Sequence, residues 1–258
     1  MSDTLEKCFS PATLAGLELR NRVIKAATFE GMCPDGVPSE RLFAHHREVA
    51  EGGVAMTTLA YCAVEADGRV KREMMYMHEG IRPQLERLAR GVHEAGAKLS
   101  GQMGHCGNFS QNADFRGKRP LGPSRMLNLS GLPVGLPFAG AMKHSDIDRL
   151  VDLFREAAGF MKSVGFDALE IHFGHGYGLS QFISPKTNKR TDEYGGSLVN
   201  RMRLPLRVLE AAREAVGDDF PILGKRGLTD GVKGGLKEDE AIEVAALLGD
   251  GGIAALVP

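Results

Sequence analysis

The feature that most constrains this chain is an order of elements. Short β-rich runs alternate with longer stretches of helical periodicity. The runs are Val23–Ala27, Val54–Leu59, Ala97–Met103, Phe166–His172, Pro221–Lys225 and Ile253–Val257. Between them lie candidate helices from a Ser39 cap to Ala50, over Ile81–Ala95, from Ser145 or Asp146 to Val164, over Asn200–Val216 and over Glu238–Leu248. Polar caps at helix starts and glycines at 52, 96, 165, 217 and 249 would satisfy backbone groups that a helix leaves unpaired at its ends. Such alternation requires a parallel sheet with helices packed outside it. The chain has 258 residues, enough for one large α/β domain.

Two architectures share this grammar, the doubly wound open sheet and the closed (β/α)8 barrel. A dinucleotide fold would carry G-x-G-x-x-G after its first strand, and here that strand runs into AATFEGM. In a barrel the site is assembled where several strands end. These strands end in Ala26-Ala27-Thr28, in Ala60-Tyr61, in Gln102 with His105, in His172 with His175 and Tyr177, and in Lys225. Five successive ends bearing small or polar groups favour a TIM barrel. About six of its eight β/α units are present, so residues 1–258 are read as one barrel domain lacking the last two. The long gap between Gln102 and Ser145 holds GKRPLGPS at 117–124 and is expected to cover the barrel mouth, because long loops in compact domains are usually functional.

Composition removes several classes of function. The formal charge is -1, and no basic stripe with interleaved aromatics suggests nucleic acid. No apolar run approaches the roughly 20 residues that span a bilayer, and the N-terminal MSDTLEKCFSPATL lacks a signal-peptide pattern, so a cytoplasmic location is expected. Cys8, Cys33, Cys62 and Cys106 contain no C-x-x-C pair and read as free thiols. The stretch EIHFGHGYG at 170–178 invites a metal centre on His172 and His175, but no carboxylate or third histidine sits at a matching strand end, so none is assigned. A structural pair of core imidazoles is the other plain reading.

The block GFDALEIHFGHGYGLSQFISPKTNKRTDEYGGSLVNRMR at 165–203 resembles the Old Yellow Enzyme family of NADH:flavin oxidoreductases, through H-x-x-[HN]-x-Y and the RTDEYGGS-x-x-NR run. LRNRVIKAAT at 19–28, AEGGVAMTT at 50–58, GAKLSGQMGHCG at 96–107 and FPILGKRGLTDGVKGGL at 220–236 support it in the same order. The resemblance implies a TIM barrel that binds FMN at its C-terminal mouth. The flavin would take hydride from NADH or NADPH and pass it from N5 to the β-carbon of an electron-poor alkene, commonly an enone. His172 and His175 would then donate to the substrate oxygen, where charge develops, and Tyr177 would protonate the α-carbon.

By the same resemblance, Gln102 would pair with the pyrimidine edge of the flavin. Lys225, preferred over Arg226 on spacing from Gly234-Gly235, would stand near flavin N1 and C2=O. Ala26, Ala27, Thr28 and Ala60 would touch the flavin through backbone. Relatives often carry Thr or Cys where this chain has Phe29, and His105 is ranked as loop support. The missing units carry the usual phosphate-binding loops, so an inactive or flavin-free fragment is the first alternative and a metal-dependent barrel hydrolase the second. The partner is a small alkene or carbonyl compound, and a homo-oligomer is compatible with everything above.

Overall fold

The computed structural model describes residues 3–112 and 119–258. The first two residues of the N-terminal stretch, and Gly117 and Lys118 of the GKRPLGPS run, lie outside them. Six strands form one sheet: β1 (Ile24–Lys25), β2 (Met56–Ala63), β3 (Lys98–Gly104), β4 (Ala168–His172), β5 (Ile222–Lys225) and β6 (Ala255–Val257). Their spatial order is β6-β5-β4-β3-β2-β1 and every pairing is parallel. Chain order and spatial order coincide, as expected when each strand is followed by one crossover and the next strand is laid down beside it.

The main helices are α1 (Glu40–Glu51), α2 (Arg82–Glu94), α3 (His144–Ser163), α4 (Gly178–Ile183), α5 (Leu198–Val216) and α6 (Glu238–Asp250). Ser39 caps α1 as expected, its hydroxyl accepting from the Leu42 amide. Two starts differ from the sequence reading. Helix α3 begins at His144, because Asp146 is not the cap but reaches back one turn to accept from the Lys143 amide at 2.7 Å. Helix α5 begins at Leu198, because the Ser197 hydroxyl accepts from the Asn200 amide at 3.3 Å. Gly96 and Gly165 close α2 and α3 at φ +76° and +95°, a conformation that costs other residues a steric clash.

Side chains alternate across the sheet, and the alternation makes two cores. Leu169 and Ile171 of β4, Leu99 and Met103 of β3 and Ile222 of β5 point outward and pack with Leu85, Leu88, Leu150, Phe154 and Val208 of the helices. Ala168, Leu223 and Met56 point to the other face. There Leu14, Leu17 and Leu19 of an antiparallel hairpin, Ala12–Leu14 with Leu17–Leu19, pack against them. That apolar layer closes the N-terminal end of the sheet and leaves the polar residues at the other end, where the strands finish.

Strand β1 is shorter than the sequence suggested and β2 longer. An edge strand has one partner to extend it, and β1 pairs with β2 only through Ile24 and Lys25. Strand β2 runs on to Ala63, with a register shift between Leu59 and Cys62. The segment after β3 is not a featureless cover. Leu121–Gly122, Met126–Leu127 and Phe138–Ala141 form a small three-stranded sheet. Arg190 of the RTDEYGG run pins it, donating to the Pro123 and Met142 carbonyls while pairing with Asp192. Among its described residues, Phe109 and Gln111 line the cleft described below, and Leu121 and Met142 face a separate hollow beside Glu65 and Arg149.

Candidate active site

Strand alternation brings Gln102, His172 and Lys225 to the same face. Leu223 packs on the inner core, so Lys225, two residues on, faces inward as well, and Arg226 turns the other way. Lys225 stands level with His172 across the β4–β5 pair. These side chains, together with Ala27, Thr28, Phe29, Tyr61, His175 and Tyr177, line a cleft of about 570 Å³ at the C-terminal ends of the strands. Arg226 is not among its walls. Ala26 is exposed beside β1 and Ala60 is buried in β2; neither lines the cleft.

The hydrogen bonds around the histidine pair imply one proton arrangement for neutral rings. The Gly174 amide donates to His172 Nδ1 at 3.1 Å, so the proton of the neutral ring is on Nε2. His172 Nε2 lies 3.2 Å from His175 Nδ1, which therefore accepts and leaves the His175 proton on Nε2. Burial, reinforced by the nearby charges of His175 and Lys225, pushes the His172 imidazole down to about 3. Burial and Lys225 lower His175 as well. His172 therefore enters any chemistry near neutral pH as an N–H donor and not as a cation. His175 reaches its place with φ +57°, a left-handed backbone that histidine adopts at modest cost between two flexible glycines.

Tyr177 stands edge-on to His172, with ring centroids 5.1 Å apart, and Tyr61 packs against both. Burial, with a smaller contribution from Cys106, raises the Tyr177 phenol above its ordinary value, so it holds its proton. Tyr61 is buried and donates to the Gly68 carbonyl at 3.2 Å. An added Cβ at Gly104 would meet Tyr61 Cε2 at 2.3 Å, so the glycine at the end of β3 is what admits this ring.

Below Gln102 lies a group that the motifs did not flag. Glu170, 1 % exposed, accepts from the Gln102 side-chain amide at 2.7 Å. Burial raises its carboxyl, opposed by the hydrogen bond from Gln102 and the charge of Lys225. The bond spends one N–H of Gln102 and fixes the amide's orientation. The carbonyl oxygen of Gln102 keeps no partner among the described residues. Period-2 spacing from His172 could have found Glu170, since residues 168, 170 and 172 share one face. His105 supports the loop, as read from sequence: Nδ1 accepts from the Gly107 amide, and Nε2 lies 3.2 Å from Glu65. Burial would raise Glu65, but His105 and Arg149 prevail and hold it at about 2.

A parallel β/α sheet that gathers donors, a phenol and a cation where its strands end has the layout of a barrel enzyme's active site. The chain belongs to the NADH:flavin oxidoreductase / NADH oxidase family, whose model matches residues 7–256. It is 43% identical over 240 residues to the 4,4'-dithiodibutanoate disulfide reductase of Rhodococcus erythropolis, covering 93% of this chain and 58% of that one. It is 32% identical over 252 residues to the NADH oxidase of Thermoanaerobacter brockii, covering 95% and 38%. A 2-naphthoyl-CoA reductase in complex with 2-naphthoyl-CoA superposes with a TM-score of 0.90 at 28% identity, over 97% of this chain and 40% of that one. The Old Yellow Enzyme of Pichia sp. AKU4542 shares the fold, with a TM-score of 0.87 at 23% identity over 97% and 70%. The chain thus spans little more than half the length of the first of these relatives and less of the next. The family's cofactor is FMN, with NAD(P)H as reductant. Among the described residues no helix is long and apolar enough to cross a membrane.

Proposed function

We propose that the cleft binds FMN and that the protein reduces an electron-poor alkene such as an enone, with NADH or NADPH as reductant. The observation that carries this reading is the convergence of Gln102, Lys225, His172, His175 and Tyr177, from three strands and one loop, on a single cleft. The donor set suits a flavin. The free carbonyl of Gln102 can accept an imide N–H, its remaining N–H can donate to a flavin carbonyl, and the Lys225 ammonium can offset the negative charge of a reduced pyrimidine ring. When bound, FMN supplies hydride transfer from the nicotinamide to the alkene's β-carbon.

The chain's own residues do the rest. The proton order places an N–H of His175 at the open end of the pair, free to donate to a substrate carbonyl, while His172 donates to His175 and fixes that orientation. A rotation of the exposed His175 ring would release the His172 N–H to the same oxygen. Negative charge gathers on this oxygen as the β-carbon is reduced, so donors aimed there stabilise the transition state more than the ground state. Tyr177, protonated at every ordinary pH, delivers the proton that the α-carbon needs. On this reading residues 1–258 are one FMN-binding domain, and the six strands are the first six units of an eight-unit barrel. Ala27 and Thr28, which line the cleft, would help hold the flavin. The direct test is to purify the protein with FMN supplied: a stoichiometric, yellow, 2-cyclohexen-1-one-reducing enzyme is expected, and a colourless protein under saturating FMN would end the proposal.

A further inference from the structure

Above the donors, the walls of the cleft change character. Val70 and Met74 are buried, Phe109 is partly exposed, and at the rim stand Lys71 and Gln111. The rim is built on a braced turn. The Gln111 amide donates to the Val70 carbonyl at 2.7 Å, the Met74 amide to the Lys71 carbonyl at 3.2 Å, and the Ser110 hydroxyl to the Arg69 carbonyl at 3.3 Å. Arg69, buried, donates to the Ala66 and Arg72 carbonyls from inside the turn and lies over the Tyr76 ring. These bonds tie the backbone that carries Lys71 to the backbone that carries Gln111.

Neither side chain has a hydrogen bond or ion pair among the described residues. Among the described residues, no aspartate or glutamate lines the cleft, whereas two lysines do. Lys225 lies deep, beside His172, and has a use in the proposed function. Lys71 lines the same cleft, is exposed, and has none.

We propose that Lys71 and Gln111 form a carboxylate subsite, so that the preferred substrate is an electron-poor alkene bearing an anionic group across an apolar spacer from its reacting carbonyl. This rests on the reading of the cleft as an ene-reductase site. An ammonium and a primary amide are complementary to a carboxylate, the first as a point charge and the second as a directed donor. Two lysines with no facing carboxylate among the described lining also favour anionic ligands, and low-dielectric walls make that attraction stronger than on an open surface.

The test compares three probes on the flavin-loaded protein by titration calorimetry without nicotinamide: 4-carboxybenzylideneacetone, its methyl ester and benzylideneacetone. The wild type should bind the carboxylate about three- to tenfold more tightly than the ester, a gain that fades with added salt. Lys71→Met, which keeps the apolar stem, should abolish this preference while binding the ester as before. Lys71→Glu should invert it. An unchanged carboxylate-to-ester ratio in Lys71→Met would overturn the subsite. So would an unchanged ratio accompanied by weaker saturation with NADPH, which would assign the lysine to the coenzyme's phosphates. Failure of the wild type to reduce benzylideneacetone at all would refute the ene-reductase reading instead, and the binding ratios are read without turnover.

Discussion

His172 Nε2 and His175 Nδ1 lie 3.2 Å apart, and the Gly174 amide on His172 Nδ1 leaves only one way to place the protons. On the proposed function the pair would work as a relay, His172 donating to His175 and His175 to the substrate oxygen. Replacing either with alanine should lower kcat/KM for an enone by about 10²-fold, the usual effect of losing an oxyanion donor. The double variant should be little worse than either single one, because residues acting as a unit are not additive. Steady-state kinetics on the three variants checks this; fully additive losses would show two independent donors.

The low His172 value gives a signed pH dependence. The unfolded chain takes up this proton near pH 6.5, but the folded protein does so only near 3. Stability is therefore complete above about 6.5 and falls as the pH drops through that window, by up to about 1.4 kcal/mol per unit for each such proton. His46, also lowered by burial, adds to the same slope. Urea titrations between pH 7 and 5, above the carboxylate range, should show the decline. His172→Asn should reduce the slope by about one proton, and an unchanged slope would contradict neutral burial of His172.

Gly104 and Tyr61 predict a packing defect. A methyl group at 104 would overlap the Tyr61 ring, which itself packs on Tyr177 and His172. Gly104→Ala should destabilise the fold by about 1–3 kcal/mol, the cost of overpacking. Chemical denaturation measures it. Wild-type stability would mean that the ring can move away freely.

Much of this was legible in the sequence because it follows from periodicity. Alternation of strand and helix gave the parallel order, and strand ends pointed to Gln102, His172 and Lys225. The helix starts at His144 and Leu198 were misplaced because a carboxylate or hydroxyl near a helix start can cap from more than one position. The partners of the site residues were harder. Glu170 sat within a strand read for its apolar run, and Tyr61 gains meaning only from Gly104, across the next strand. The long segment after Gln102 looked like one lid because local sequence does not reveal that Arg190, far along the chain, pins its second half away from the cleft. Ala26 and Ala60 follow from the family resemblance alone, which implies contact with a flavin through their backbone.

On the proposed function the cleft couples a flavin to alkene protonation by Tyr177. Stopped-flow measurement of both half-reactions, in the wild type and in Tyr177→Phe, tests it most directly. Flavin reduction by NAD(P)H should be nearly equal in the two proteins, and reoxidation of the flavin by 2-cyclohexen-1-one should be slower in Tyr177→Phe by about 10²-fold or more, as for a lost general acid. Equal slowing of both half-reactions, or reoxidation by the enone at the wild-type rate, would rule out Tyr177 as the proton donor.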